Sequence, residues 1–231
     1  MATQGARIVA DILRQHAGRL IWLFVGLLLP LWGFVELADE VHEQEAFFYD
    51  ELLLLRAHTS ATPGLDQWFI GVSAAGYRYG VIPIDILLVL ALLWARRWRE
   101  ASFAAASFVG SALLNLATKQ FFRRDRPTLW ESLAPEATFS FPSGHAMGSM
   151  TLAMTAILLS WHTRWRWPVL VVALAFVLQV GASRIYLGVH YPSDILGGWF
   201  AGMAWVVGVY FVMFRWGARP WKRSGIADNA V

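Results

Sequence analysis

Cysteine is absent from the 231 residues, which excludes a disulfide framework, a thiol nucleophile, an iron–sulfur cluster and a Cys-ligated zinc. Charge is scarce: Asp, Glu, Lys and Arg make up 15% of the chain, 19 basic against 16 acidic residues, for a net charge of +3. So small a surplus excludes a nucleic-acid-binding protein of the usual basic type, and 57% hydrophobic residues exclude intrinsic disorder. Internal repeats and low-complexity segments are missing too. What is abundant is apolar length. The mean hydropathy of +0.48 lies beyond that of soluble chains and identifies a membrane protein.

A helix crosses the hydrocarbon core with about 20 apolar residues. Six stretches meet or approach that length, at 20–38, 80–95, 101–118, 143–161, 168–183 and 194–214. They predict an all-α, polytopic membrane protein of six transmembrane helices, a single domain over 1–231. The stretch before the first span carries Arg7, Arg14 and Arg19 like a signal peptide, but the apolar run is too long and lacks a small-residue cleavage site before Asp39 and Glu40. It is read as an uncleaved span. Residues 1–19 and 215–231 are then cytoplasmic tails, and 40–79 is an external helical loop.

Lys and Arg set the orientation, because short cytoplasmic loops carry their excess. With the N-terminus inside, twelve of the nineteen fall on the cytoplasmic side and seven outside. Trp22, Trp94, Trp98, Trp161, Trp165, Trp167, Trp216 and Trp221 also gather at the cytoplasmic interface, where amphipathic rings anchor. Five external basic residues oppose this signal: Lys119, Arg123, Arg124, Arg126 and Arg184 all crowd outer span ends. A function explains that cost. The loop 40–79 mixes acidic and apolar residues and is broken by Thr62-Pro63-Gly64, which predicts one or two interfacial amphipathic helices.

Three polar clusters sit at the outer span ends. The first runs from Lys119 to Arg126-Pro127; on a continuing helix the seven-residue spacing puts both cations on one side, and the pair suits a phosphate. Arg123 and Arg124 are read instead as side chains snorkelling to head groups, and Asp125 as the partner of a neighbouring arginine. The second is Phe141-Pro142-Ser143-Gly144-His145, where a helix start offers unpaired N–H groups and a positive dipole end to an anion. Ser143 adds a hydroxyl and Gly144 permits close approach, while His145 stands where it can donate a proton to a leaving group. The third runs from Ser183-Arg184 to His190 and Asp194. A turn begun near Pro192 puts the Asp194 carboxylate against one imidazole nitrogen of His190, leaving the other free to attack.

Together, Lys119 to Arg126-Pro127, Pro142-Ser143-Gly144-His145 and Ser183-Arg184 to His190 to Asp194 resemble the three signature motifs of the type 2 phosphatidic acid phosphatase superfamily, the lipid phosphate phosphatases. The motifs cover 119–194 with no departure at a signature position, and the six-span layout is similar to the family's small bacterial membrane members. The resemblance implies His190 as the nucleophile that forms a phosphohistidine, Asp194 as its orienting acid, and His145 as the proton donor. It implies Lys119, Arg126, Ser143, the Gly144 amide and Arg184 as phosphate ligands. No metal or other cofactor is implied; the remaining histidines, His16, His42, His58 and His162, form no ligand-like cluster. The implied setting is a bacterial inner (cytoplasmic) membrane with the site facing the periplasm or exterior. The implied partner is a membrane lipid phosphate such as undecaprenyl pyrophosphate, phosphatidylglycerol phosphate, phosphatidic acid, diacylglycerol pyrophosphate or lipid A phosphate.

Two other readings use the same residues: a lipid phosphotransferase that passes the group from His190 to another acceptor, and a transporter that binds lipid phosphate without cleaving it. Glu36, Asp85 and Gln179 lie in or near spans, and Asp85 is an outlying candidate for supporting the site. The GxxxG spacings Gly144–Gly148 and Gly198–Gly202 are assigned to close packing inside one bundle. Oligomeric state is not fixed by the sequence.

Overall fold

The computed structural model describes residues 17–18, 20–21, 23–214 and 220–221. The expected cytoplasmic tails, Trp22 and Trp216 lie wholly or mostly outside them. Among the described residues there are eight α-helices and no strands. A π-helical turn, Phe24–Leu28, runs into α1 (Leu29–His42). There follow α2 (Phe48–Thr59), α3 (Pro63–Ala75), α4 (Val81–Trp94), α5 (Trp98–Phe122), α6 (Gly144–Ser160), α7 (Arg166–Tyr186) and α8 (Pro192–Met213). Three of these, α5, α7 and α8, are long and apolar enough to cross a membrane, and α4 is a shorter apolar helix.

The helix starts follow their sequence signals. Thr62 caps α3 by accepting the Leu65 N–H at 3.3 Å, with Pro63 in the first turn. Pro192 opens α8 in the same way. Arg123 stops α5 in the left-handed conformation (φ 47°), donating its N–H to the Lys119 carbonyl. The helix therefore ends before Arg126, which corrects the expectation that Lys119 and Arg126 share one helical face.

Helix α6 is the axis of the bundle and packs against α4, α5, α7 and α8. It is apolar nearly all round, as a buried helix must be. Phe103 on α5, Met154 and Ile157 on α6, Val177 on α7 and Val206 on α8 form the main core. Helices α6 and α8 approach closely because Gly198 and Gly202 face α6. A Cβ on Gly202 would stand 2.9 Å from the Met147 carbonyl oxygen, and one on Gly198 would stand 2.7 Å from that of Ser143. The Gly198–Gly202 pair thus packs within the bundle, as its spacing suggests.

Outward faces are apolar as well. Ile84, Leu87 and Leu90 on α4, Val109 and Leu113 on α5, and Val171 and Val172 on α7 are exposed, an apolar outward surface suited to lipid. Trp94, Trp98, Trp165 and Trp167 ring one end of this surface. The polar clusters occupy the other, where α5 ends, α6 and α8 begin and α7 ends. Helices α2 and α3 lie over that end, packed on α7 and α8, and account for most of the 40–79 loop.

Candidate active site

His190 is fully buried at the last turn before α8. Because α8 begins at Pro192, Asp194 is in its first turn, and the carboxylate folds back onto the start of the helix. Its Oδ2 accepts the Tyr191 N–H at 2.9 Å, the Ser140 hydroxyl at 2.8 Å and His190 Nδ1 at 3.3 Å. With Nδ1–H directed at Asp194, the lone pair of His190 lies on Nε2, and Arg126 Nη1 donates to it at 3.0 Å. The neutral imidazole is thereby held in one tautomer with its nucleophilic nitrogen facing the cations.

The second histidine comes from the start of α6. Ser143 is its N-cap, the hydroxyl oxygen accepting the Ala146 N–H at 3.5 Å, and the Ser143 N–H donates to the Asp194 carbonyl at 3.0 Å. Asn115 on α5 donates to the Pro142 carbonyl at 3.1 Å, bracing the turn, whose Phe141–Pro142 peptide is cis. A Cβ on Gly144 would meet Asn115 Oδ1 at 3.1 Å. His145 then faces the same space as His190 Nε2, its ring 5.0 Å from that of Tyr77.

Three cations complete the space. Arg126 binds the Val189 carbonyl at 2.7 Å and the Thr138 carbonyl at 2.6 Å. Arg184 is 1% exposed; it donates to Ser73 on α3 and to Glu136, while its Nε–H has no partner among the described residues. Lys119 donates to the Phe139 carbonyl. Beside them a cavity of about 400 Å³ is lined by Leu116, Lys119, Gln120, Arg126, Glu136 and Phe139, among others. Leu116 belongs to the lipid-facing side of α5. All eight residues singled out from the sequence, His145, His190, Asp194, Lys119, Arg126, Ser143, Gly144 and Arg184, are thus brought to one end of the bundle.

Sequence reasoning missed four participants. Glu136 sits among the cations: Oε2 is 2.7 Å from Arg126 Nη2 and 3.7 Å from His190 Nε2, while Oε1 pairs with Arg184 and lies 3.5 Å from His145 Nδ1. Burial alone would raise its carboxyl, but the charge of Arg184 holds it well below the usual carboxylate range. Burial likewise lowers the Arg126 guanidinium, against the opposing pull of Glu136 and Asp194. Arg124, expected to snorkel, instead turns inward. Its Nη1 binds Asp194 Oδ1 at 2.6 Å and its Nη2 binds Asp50 Oδ2 at 2.9 Å. Burial opposes the charge of Arg124, but the two carboxylates raise its guanidinium above the ordinary value. Asp50, on α2, also accepts the Ser193 N–H at 2.9 Å, so α2 is tied to the first turn of α8. Ser140 is the fourth. Only the isolated acidic residue nine positions before His145 and the Asp50 break in an apolar run were visible as signals.

Other expectations fare differently. Asp125 is exposed and forms no ion pair among the described residues, since Arg124 and Arg126 both face inward. Asp85 lies on α4 with Oδ1 unpartnered and no hydrogen bond to the site. Gln179 accepts Trp68 Nε1 at 3.4 Å, joining α7 to α3. His42 stacks on Phe121 and His58 on Trp130, both outside the site.

The arrangement is chemically legible: an oriented imidazole and a second imidazole approach one carboxylate, which Arg126 and Arg184 hold. The sequence model of the PAP2 superfamily matches residues 100–218. An undecaprenyl-diphosphatase of Sulfolobus acidocaldarius is 31% identical over 80% of this chain and 86% of that protein. Phosphatidylglycerophosphatase B of Bacillus subtilis is 29% identical over 74% of this chain and 86% of its own length. The crystal structure of a transmembrane PAP2-type phosphatidylglycerolphosphate phosphatase from Bacillus subtilis superposes with a TM-score of 0.71 at 27% identity, covering 80% of this chain and 94% of that one.

Proposed function

Because this chain belongs to the PAP2 superfamily and is a membrane phosphatase of that family, we propose that it removes the terminal phosphate of a lipid phosphate or diphosphate at the outer face of a bacterial inner membrane, without a metal ion. One observation carries the reading. His190 Nε2, oriented through Asp194, lies 3.7 Å from an anion that Arg126 and Arg184 already hold, and His145 is 3.5 Å from the other oxygen of that anion. A phosphoryl group seated there has a nucleophile on one side and an acid on the other.

In the proposed cycle, His190 Nε2 attacks phosphorus in line and the P–O bond to the lipid breaks. The leaving oxygen takes its proton from protonated His145, and the product is a phosphohistidine. Neutral His145 then accepts a proton from water, which attacks phosphorus; the P–N bond breaks and inorganic phosphate departs. Arg126, Arg184 with its spare Nε–H, Lys119, the Gly144 amide and Ser143 stabilise charge developing on the three equatorial oxygens. Arg124 acts through Asp194, and is a positioning residue.

The membrane part of the proposal is six spans with both termini cytoplasmic, supported by the apolar outer surface and the tryptophans at the end opposite the site. The lipid's headgroup enters beside Leu116, from the lipid-facing side of α5. Candidate substrates are undecaprenyl pyrophosphate, the kind of lipid named for the Sulfolobus relative, phosphatidylglycerol phosphate, named for the Bacillus relative, and phosphatidic acid. Phosphate release from this panel by detergent-purified protein in EDTA, run beside His190→Ala, tests the proposal. Release that vanishes in the folded variant is expected; release that needs added divalent metal, or survives in the variant, contradicts it.

A further inference from the structure

Every cation of the phosphate seat is engaged by one short segment of the protein itself. Lys119 donates to the Phe139 carbonyl, Arg126 to Glu136, Thr138 and the Phe139 carbonyl, and Arg184 to Glu136. The Glu136 carboxylate lies at the centre, within 3.7 Å of both histidines. Its connecting segment, 123–143, is without helix or strand, and its side chain is 26% exposed, so the group can withdraw toward the adjoining cavity. A carboxylate on a segment without helix or strand, chelated by two arginines where an anion must sit, is an intramolecular ligand of that seat.

We propose that Glu136 is a built-in competitor for the phosphate seat and sets the affinity a ligand must exceed to occupy it, so that doubly charged phosphate ends displace it and singly charged phosphodiesters do not. The inference rests on the phosphatase reading. A carboxylate carries one negative charge, so its exchange for a phosphodiester leaves the charge among the cations unchanged and gains little. A phosphate monoester, or the terminal phosphate of a diphosphate, carries close to two charges and three free oxygens at neutral pH. Its binding adds a charge and engages donors that two carboxylate oxygens cannot reach, including Arg184 Nε–H. The selection has a purpose in this setting. A site at a bilayer surface faces phosphodiester headgroups in great excess over any lipid monophosphate, and bare arginines would be occupied by them. Glu136 remains ionised throughout the physiological pH range, because its neighbours hold its carboxyl far down. The competing charge is therefore constant, and affinity follows the ionisation of the ligand alone.

Two small probes test this by calorimetry on the detergent-purified full chain at pH 8: inorganic phosphate, a dianion there, and dimethyl phosphate, a monoanion. For wild type, phosphate is expected to bind more than about tenfold more tightly than dimethyl phosphate. In Glu136→Gln both bind more tightly, phosphate by about tenfold, as for a seat otherwise free a tenth of the time. Dimethyl phosphate gains by a similar factor, because both probes displace the same carboxylate, so the threshold falls while the preference between them is kept. Glu136→Ala should repeat the pattern, and melting in the presence of phosphate should rise further for the variants than for wild type. Unchanged or weaker phosphate binding in the variants, or a tightening confined to the dianion as from a fixed repelling charge, overturns the proposal and leaves the phosphatase reading standing. Equal affinity of the two probes for wild type overturns it even if neither variant folds. Phosphate that binds to none of the proteins overturns the phosphatase reading, and this proposal with it.

Discussion

Asp194→Asn isolates the orienting carboxylate with almost no change of shape. In the native protein Oδ2 receives three donors, from Ser140, Tyr191 and His190, while Oδ1 receives Arg124. An asparagine offers one acceptor and one donor in the same two places. If its NH₂ replaces Oδ1 it meets the Arg124 guanidinium, and the buried cation loses a partner. If its NH₂ replaces Oδ2 it points at three donors; the Ser140 hydroxyl can turn to accept, the Tyr191 N–H cannot, and His190 accepts only by moving its proton to Nε2. That tautomer has no lone pair to attack phosphorus. The analogous change in a serine protease triad lowers kcat by about 10⁴, which is roughly 5 kcal/mol of barrier, and a loss of 10³ to 10⁴ is expected here by the same tautomer argument. The assay is single-turnover phosphate release, with tryptophan-fluorescence melting to establish that the variant is folded. A folded Asp194→Asn protein with kcat within about tenfold of wild type would refute the claim that this carboxylate fixes the tautomer.

Three further outcomes follow from the same geometry. Asp50→Ala removes the carboxylate shared by Arg124 and Ser193; breaking a buried pair of this kind costs roughly 3–5 kcal/mol, at about 2–4 °C of melting temperature per kcal/mol for a chain of this length. Melting within a degree or so of wild type would contradict the role of α2 as a clamp on the site. Gly202→Val forces a side chain against the Met147 carbonyl at the α6–α8 contact and is expected to destabilise by about 1–3 kcal/mol; an unchanged melting curve would show that the helices separate freely. The depressed carboxyl of Glu136 gives a signed pH dependence: its ion pairs stabilise the fold fully above the unfolded value of about 4.3 and progressively less as pH falls below it. The melting curves of wild type and Glu136→Gln should therefore converge on acidification, and a gap that widens would contradict the assignment.

The helices were legible because apolar length and Pro, Thr and Ser start signals act locally. The span expected at 101–118 runs from Trp98 to Phe122, longer by about a turn at each end because Glu100 and Lys119 are buried there rather than terminating it. The site was legible where its residues are close in sequence, as with His190 and Asp194 four positions apart on the turn into α8. Arg124 was misread because a cation at a span end looks the same whether it reaches for lipid or for a carboxylate 74 residues away. Glu136 was missed for a related reason: nothing within the 123–143 segment reveals that it folds back between Arg126 and Arg184. Such contacts are set by tertiary packing, which periodicity does not encode.

The central claim is that His190 carries the phosphoryl group. Rapid acid-free quenching of the enzyme with a lipid substrate labelled in its terminal phosphate, followed by peptide mapping under alkaline conditions, tests it directly. The account predicts an alkali-stable, acid-labile label on the peptide that contains His190, lost in His190→Asn and accumulating when His145→Ala slows its hydrolysis. An active enzyme that never bears the label, or bears it on another residue, would contradict it.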